Sequence, residues 1–167
     1  MKKIKKKVIG MVMALLLLFI EIVYSTYISP YIHAHERYVV TLVNCIDGDT
    51  ARFMMNGEEI KARFLYVDTP EYTKEKEYMG KEASLFTQQQ LENAQIIEVE
   101  FNNDGNQYDK YGRALLWVFV DGELLQEKIA EQGYCKKFYD YNYDYKYKSQ
   151  IIKADERARK NHVGLYQ

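Results

Sequence analysis

Three short polar segments near the middle of the chain carry side chains that can bind a metal ion and a phosphate. They are residues 46–50, 63–71 and 109–113. Their carboxylates can hold a hard cation, and their arginines offer parallel donors that match phosphate oxygens. A metal ion, a pair of arginines and an additional carboxylate are the groups that hydrolysis of a phosphodiester requires. Together, the three segments predict a site for phosphodiester hydrolysis.

The patterning around these segments predicts five strands. Several of these stretches are rich in Val, Thr and Ile or alternate apolar with charged residues, which is typical of strands with one wet face. Asn56-Gly57 is the favoured two-residue hairpin turn and separates the second strand from the third. The predicted strands are residues 38–46, 50–55, 58–67, 95–101 and 114–120.

Three helices complete the predicted domain. They are residues 81–93, between the third and fourth strands, and then residues 124–132 and 149–161. This order predicts a mainly β chain with helices (α+β), an OB-fold built as a five-stranded Greek-key barrel with about three helices and preceded by an N-terminal apolar helix. Asp49 and Asp68 lie at the ends of separate predicted strands, so a barrel can bring them together.

The N-terminus combines a basic start with a long apolar run. A lysine-rich block precedes the 13 apolar residues of 8–20, which fits a secretory signal. Counting on to Ile28 gives 21 residues, enough to span a bilayer of about 30 Å. We therefore expect residues 1–28 to be a signal peptide or an uncleaved signal anchor, with membrane contact through residues 8–28 if uncleaved. An internal core helix is disfavoured because the lysines fit the positive-inside rule.

The expected organisation then has a tether at residues 29–37 and a folded domain at residues 38–167. The overall net charge is −1. Residues 1–28 have a net charge of +4, so the remaining residues have a net charge of −5. A protein that binds nucleic acid by bulk attraction is strongly basic. Binding here would depend on local arginines, a metal ion and the basic stretch 136–160. This favours a transient substrate over stably held DNA.

Cys45 and Cys135 are the only cysteines. Outside the cytosol they could form a disulfide, and the alternative is two small buried residues. The sequence has no Cys-x-x-Cys motif or Cys/His cluster, so zinc chemistry is not supported. The three histidines are scattered and are not expected to be ligands.

Four motifs in order resemble the staphylococcal nuclease (thermonuclease) family over roughly residues 38–166. They are residues 47–50, 67–71, 80–84 and 109–113, and Arg63 stands five residues before Asp68. The resemblance implies an OB-fold, dependence on Ca²⁺, and cleavage of DNA and RNA to 3′-phosphate products. The loop at residues 72–79 departs from the family's usual lysine- and glycine-bearing version, which puts substrate clamping in doubt.

The resemblance also implies roles for individual residues. The calcium ligands would be Asp49, Asp68 and the backbone carbonyl of Thr69, with Asp47 in support. The catalytic residues would be Arg63, Glu71 and Arg113. The arginines would stabilise charge on the phosphorus as it becomes five-coordinate. Glu71 would act on the attacking water, either as a general base or by orienting it, and both possibilities remain open.

The resemblance further implies nucleotide contacts by Tyr111, Tyr139 and Tyr141 and a phosphate contact by Lys110, since these residues match family positions with those roles. Stacking of a base on an aromatic ring tolerates any sequence and requires an unstacked base, which favours single-stranded or breathing substrates. Tyr143, Tyr145 and Tyr147 lie outside the matched positions. Exposed rings on a strand face are the alternative for these three, and they are not assigned a role.

The favoured function is an exported calcium-dependent nuclease that is secreted or tethered to the outer face of a bacterial membrane, and that acts as a monomer. A non-catalytic OB-fold module that binds nucleic acid is the alternative, since such barrels often bind without cutting. A structural membrane protein with an inert exterior has only the N-terminal run in its favour. The enzyme is favoured because all the candidate arginines and carboxylates are present.

Overall fold

The computed structural model describes residues 2–28, 36–73 and 75–167, so most of the expected tether lies outside the described residues. The chain divides into two compact units, Met1–Glu36 and Arg37–Gln167. The first contains helix α1, Lys2–Val23, which continues as a π-helical turn at Tyr24–Ile28. Its segment Ile9–Tyr27 has a mean hydropathy of 2.2 and is long and apolar enough to cross a membrane, a property that signal sequences share.

The second unit contains eight strands and three α-helices, and a 3₁₀ turn at Gly164–Tyr166 follows them. The strands are β1 (Tyr38–Asp47), β2 (Thr50–Met55), β3 (Glu58–Phe64), β4 (Val67–Asp68), β5 (Ile97–Phe101), β6 (Ala114–Val120), β7 (Glu123–Leu124) and β8 (Lys137–Phe138). The helices are α2 (Gly80–Asn93), α3 (Leu125–Glu131) and α4 (Lys148–Lys160).

Five strands close into a barrel. They are hydrogen-bonded in the order β3-β2-β1-β5-β6, and β3 returns to pair in parallel with β6. In that closing pair, Arg63 lies opposite Leu115. Trp117 and Phe53 are fully buried in the core, which draws on every strand of the barrel and on the three helices. The predicted α+β OB-fold with a five-stranded barrel and three helices is confirmed.

The third predicted strand, residues 58–67, is not continuous. β3 ends at Phe64, and Tyr66 adopts the left-handed region with φ 71°. A bulky residue rarely adopts this conformation unless its surroundings impose it. The Tyr66 ring stacks on Phe138 with a centroid distance of 5.3 Å. After this turn, β4 pairs with β8 and Asp68 lies opposite Lys137.

The later part of the tyrosine-rich segment is not an exposed strand face, which was the alternative for Tyr143, Tyr145 and Tyr147. Tyr145 is buried, and Tyr143 and Tyr147 are half-buried against the core. The segment is anchored by Glu100, whose fully buried carboxylate accepts hydrogen bonds from Lys146 Nζ at 2.5 Å and from the Tyr147 hydroxyl at 2.8 Å. Backbone pairing holds the start of the segment, where Phe138 lies opposite Val67 and the Tyr139 N–H donates to the Tyr66 carbonyl at 2.8 Å. Side-chain contacts hold its later part.

Both cysteines are free thiols. Cys135 is buried in the core, while Cys45 is half-buried and donates its S–H to the carbonyl of Asp47 at 3.2 Å. Burial, and then the nearby Asp47 charge, raise the pKa of Cys45 to about 12. Burial raises the pKa of Cys135 as well. Cys45 and Cys135 therefore do not form a disulfide in this structure.

Candidate active site

The turn between β1 and β2 places the Asp49 carboxylate against the segment that follows β4. Its Oδ2 accepts the backbone N–H of Thr69 at 2.8 Å and the Thr69 hydroxyl at 3.2 Å. The approach requires glycine at position 48, because a Cβ there would lie 2.5 Å from Thr69 Oγ1. Two of the predicted motifs are therefore joined by direct hydrogen bonds across 20 positions of sequence.

Arg63 lies near the end of β3, is 8% exposed, and uses both terminal nitrogens of its guanidinium. Nη1 donates to the carbonyls of Phe64 and Val67 at 3.0 and 2.7 Å. Nη2 lies 2.8 Å from Asp68 Oδ1 and 3.1 Å from Asp49 Oδ2. The guanidinium is held rigidly by the backbone and is shared by the two carboxylates that were predicted to hold a cation.

The surroundings of these carboxylates favour a positive charge. Burial, and then repulsion from Asp49, raise the pKa of Asp47 to about 6. Burial also raises the pKa of Asp68, although Arg63 opposes the shift. Asp47 is 8% exposed and accepts the Asp49 N–H at 3.3 Å, so it lies behind Asp49.

The oxygen donors fit a hard metal ion. Asp49 and Asp68 converge on one positive group, Nη2 of Arg63, so their oxygens face a common point. Carboxylate oxygens are the donors that Ca²⁺ prefers. Within the described residues, no three Asp, Glu, His or Cys side chains form a ready metal-binding cluster. A cation held by two carboxylates would leave its other coordination positions to water and substrate oxygens.

Glu71 stands at the exposed edge of the site, just after Pro70. Its backbone N–H donates to Glu77 Oε2 at 2.7 Å, and the Glu77 N–H donates back to the Glu71 carbonyl at 3.0 Å. Lys136 Nζ donates to the same Glu77 oxygen at 2.7 Å and lies 3.9 Å from Asp68 Oδ2. The charged loop after Glu71 is therefore folded back onto the backbone of Glu71.

Arg113 is oriented by a carboxylate within its own motif. Asp109 Oδ2 accepts from Arg113 Nε at 2.6 Å, and Asp109 Oδ1 accepts the backbone N–H groups of Arg113 and Tyr111, each at 2.9 Å. The guanidinium carbon lies 5.7 Å from the centroid of the exposed Tyr111 ring. Because Arg113 directly precedes β6, the parallel β3–β6 pair brings it to the same end of the barrel as Arg63.

One open groove of about 610 Å³ unites most of these groups. Nine residues predicted for the site line it: Asp49, Arg63, Asp68, Glu71, Lys110, Tyr111, Arg113, Tyr139 and Tyr141. Thr69 and Asp47 are buried behind the lining and contact Asp49. The role predicted for the Thr69 carbonyl stays a prediction, since the contacts seen here are made by the Thr69 N–H and hydroxyl.

Some residues of the site were not predicted from the sequence. Asp109 lies inside a recognised motif but was given no role, and Glu77 and Lys136 were not considered. Tyr143 and Tyr145, which were left unassigned, also line the groove. The spacing of every second residue from Tyr139 to Tyr145 was a visible signal, because it places the rings on one side of an extended segment.

Comparison with known proteins gives consistent relatives. Thermonuclease of Staphylococcus hyicus is 36% identical over 169 residues, covering 96% of this chain and 95% of that protein. Thermonuclease of Staphylococcus intermedius is 35% identical over 136 residues, covering 79% of this chain and 77% of that protein. Endonuclease YncB of Bacillus subtilis (strain 168) is 35% identical over 130 residues, covering 76% of this chain. The chain spans only 61% of the length of that Bacillus protein.

The family model described as staphylococcal nuclease homologue matches residues 61–167. This match begins within β3, before Arg63, and continues through Glu71, Arg113 and the tyrosine-rich segment. The full-length similarity to the first of these thermonucleases adds the β1–β2 turn that carries Asp49. The chain belongs to the staphylococcal nuclease homologue family.

Proposed function

We propose that this protein is a calcium-dependent nuclease that hydrolyses phosphodiester bonds of DNA and RNA to 3′-phosphate products. The observation that carries the proposal is the groove in which both arginines, Glu71 and the carboxylates of Asp49 and Asp68 meet. The names of the relatives, thermonuclease and endonuclease, support the same reaction. A binding-only barrel would have no need for this combination of groups.

Each group has a role that follows from its chemistry. Asp49 and Asp68 would hold Ca²⁺, which polarises a phosphate oxygen when bound. Arg63 and Arg113 would donate hydrogen bonds to the phosphate and stabilise the negative charge that builds up on it. Nη2 of Arg63 would exchange its present contacts with Asp49 and Asp68 for phosphate oxygens when a cation binds those carboxylates. Glu71 accepts a hydrogen bond from the attacking water at the open edge of the groove, either orienting it or taking its proton.

The aromatic lining supports a preference for single-stranded or breathing substrates. Tyr139 and Tyr141 are parallel, with an interplanar angle of 3° and centroids 6.1 Å apart, and Tyr111 is 72% exposed. Lys110 Nζ lies 5.0 Å from the Tyr111 centroid and can reach a phosphate. Bases paired in a duplex cannot lie on these rings, because their faces are already stacked.

The decisive experiment is digestion of single- and double-stranded DNA and of RNA by the detergent-purified full chain, with calcium and with a chelator. We expect cutting that needs calcium and is fastest on single strands. Glu71→Gln should reduce it by about 100-fold or more. Glu58→Gln makes the same chemical change at the exposed start of β3, away from the groove, and should have no effect. Binding without cutting would identify the protein as a non-catalytic module.

We also propose that α1 exports the protein as a signal peptide or holds it at the outer face of the membrane as an anchor, and that the rest of the chain is a tether and one monomeric nuclease domain. The length and mean hydropathy of Ile9–Tyr27 support this. Fractionation of expressing bacteria and N-terminal sequencing of the product distinguish the two forms. A cytosolic product that starts at Met1 would contradict both.

A further inference from the structure

We propose that Tyr143 and Tyr108 form an additional subsite that stacks a base of the substrate strand beyond the nucleotide held by Tyr139 and Tyr141. The inference rests on the proposed function and specifies the substrate further, as a strand of several nucleotides. Neither residue belongs to the set predicted for the site, yet both line the same groove.

A continuous row of rings leads from the phosphate-binding end of the groove to Tyr143. The Tyr139 centroid lies 5.6 Å from the guanidinium carbon of Arg63. From there the centroid distances are 6.1 Å to Tyr141 and 6.2 Å from Tyr141 to Tyr143. The row then enters the core at Tyr145, whose ring is buried and lies edge-on to Trp117. Tyr145 also lines the groove but is buried, so Tyr143 is the last ring of the row that is partly exposed.

Tyr143 is preorganised in this position. A Cβ at Gly105 would lie 2.4 Å from the Tyr143 ring, so the ring rests directly on the backbone of the 102–107 loop. Gly105 has φ 89°, a conformation that side chains disfavour. The Asn102 side-chain amide donates to the Asp144 carbonyl at 2.9 Å, and Asp104 Oδ2 accepts the Asp144 N–H at 2.9 Å. A ring fixed in this way loses little conformational entropy when a ligand stacks on it.

The distribution of charge favours a base over a phosphate at the Tyr143 end of the groove. The cationic side chains that line the groove are Arg63, Lys110 and Arg113. Asp104, which accepts the Asp144 N–H, also lines the groove, as do Asn106 and Tyr108, which follow it in the chain, and Tyr108 is 51% exposed. The Asp104 carboxylate beside the tyrosine-rich segment repels a phosphate, whereas an uncharged aromatic face accepts any base. A strand with its phosphate on the arginines would therefore place a base here and its next phosphate toward solvent.

Binding of labelled oligothymidylates of two and eight nucleotides to the full chain, measured by fluorescence anisotropy with a chelator to prevent cutting, tests the subsite. Tyr143→Leu should weaken binding of the octamer by about tenfold and leave the dimer unchanged. Tyr143→Phe keeps the ring and should stay within about twofold of wild type. Equal octamer affinity in wild type and Tyr143→Leu, or equal losses at both lengths, would overturn the proposal.

The half-buried Tyr143 also contributes to packing, so near-UV circular dichroism must show that the leucine variant is folded. If the leucine variant at Tyr143 is not folded, the same binding comparison is made with Tyr108→Leu. The Tyr108 ring is more than half exposed, so its replacement should disturb packing less. The Tyr108→Leu variant should bind the octamer several-fold more weakly and the dimer as tightly as wild type does. If its affinity does not depend on oligonucleotide length in this way, the subsite is refuted. Digestion of the octamer with calcium is scored separately. Absence of cutting by wild type would reject the nuclease, while the binding comparison would still decide the subsite.

Discussion

The carboxylate of Asp109 holds Arg113 at two points, accepting Nε at 2.6 Å through Oδ2 and the backbone N–H at 2.9 Å through Oδ1. The guanidinium is thereby aimed from a loop that lies between β5 and β6. An arginine on a loop has many rotamers, and one oriented in advance gives up less entropy when it grips a phosphate. Asp109 is thus a positioning residue for the proposed phosphate clamp.

Replacing Asp109 should reduce turnover without preventing folding. We expect Asp109→Ala to lower kcat by about 10–100-fold, because small misplacement of a catalytic group has effects of this size. Asp109→Asn should be intermediate, since its amide oxygen can still accept the backbone hydrogen bonds. Glu123→Ala, which removes an exposed ion pair with Lys128 outside the groove, is the matched control and should keep its rate. An unchanged kcat in Asp109→Ala would contradict the positioning role.

The same carboxylate should make a pH-dependent contribution to stability. Burial raises the pKa of Asp109, but hydrogen bonds from the Arg113 backbone and side chain outweigh burial, and the net pKa is lowered. Because the folded-state pKa lies below the unfolded value of about 3.9, the contribution is present above that pH. It is lost as the pH falls through the folded-state pKa.

Urea unfolding of wild type and Asp109→Asn at stepped pH measures this contribution. The difference in unfolding free energy should be constant above about pH 5 and should shrink as the pH falls below about 4. If the difference in unfolding free energy between wild type and Asp109→Asn increased as the pH falls, the pKa of Asp109 would not be lowered in the folded protein.

Arg63→Lys should abolish most of the activity. Lysine cannot reproduce the contacts of Nη1 with two carbonyls and of Nη2 with Asp49 and Asp68. We expect a loss of at least about 100-fold in kcat, with calcium binding retained in isothermal titration calorimetry. Arg52→Lys changes an exposed arginine that pairs with Glu59 at 2.6 Å, and should be neutral. Near wild-type turnover in Arg63→Lys would refute the phosphate clamp.

Glu77 and Lys136 should act on catalysis as one unit. Glu77 Oε2 accepts both the Glu71 backbone N–H and Lys136 Nζ, each at 2.7 Å. Glu77→Gln and Lys136→Met should each lower kcat by about three- to tenfold with little change in KM, because the position of Glu71 relaxes. The double variant should be no slower than the slower single variant. Strictly additive losses in this double-mutant cycle would show that the two residues act independently.

Local patterns predicted most of the fold. Helix α2 begins one residue before its predicted start, and β6 has its predicted bounds. The exception is the strand across Tyr66, whose apolar neighbours favour continuous extension. The chain turns there because the ring of Tyr66 packs between Phe138 and Tyr145, more than 70 positions away. Such a contact leaves no periodic signal in the local sequence.

The sequence by itself determined the groups available for chemistry and the strands that carry them, because residue type and short-range spacing encode both. Only the tertiary structure decided how those groups are paired. Closure of β3 onto β6 brings Arg63 and Arg113 to one end of the barrel, and the turn at Tyr66 directs Asp68 onto Arg63. The row ending at Tyr143 likewise depends on anchors at Glu100 and Asn102. These arrangements depend on contacts between residues far apart in the chain. Local secondary-structure propensity cannot predict such contacts, because it depends only on neighbouring residues.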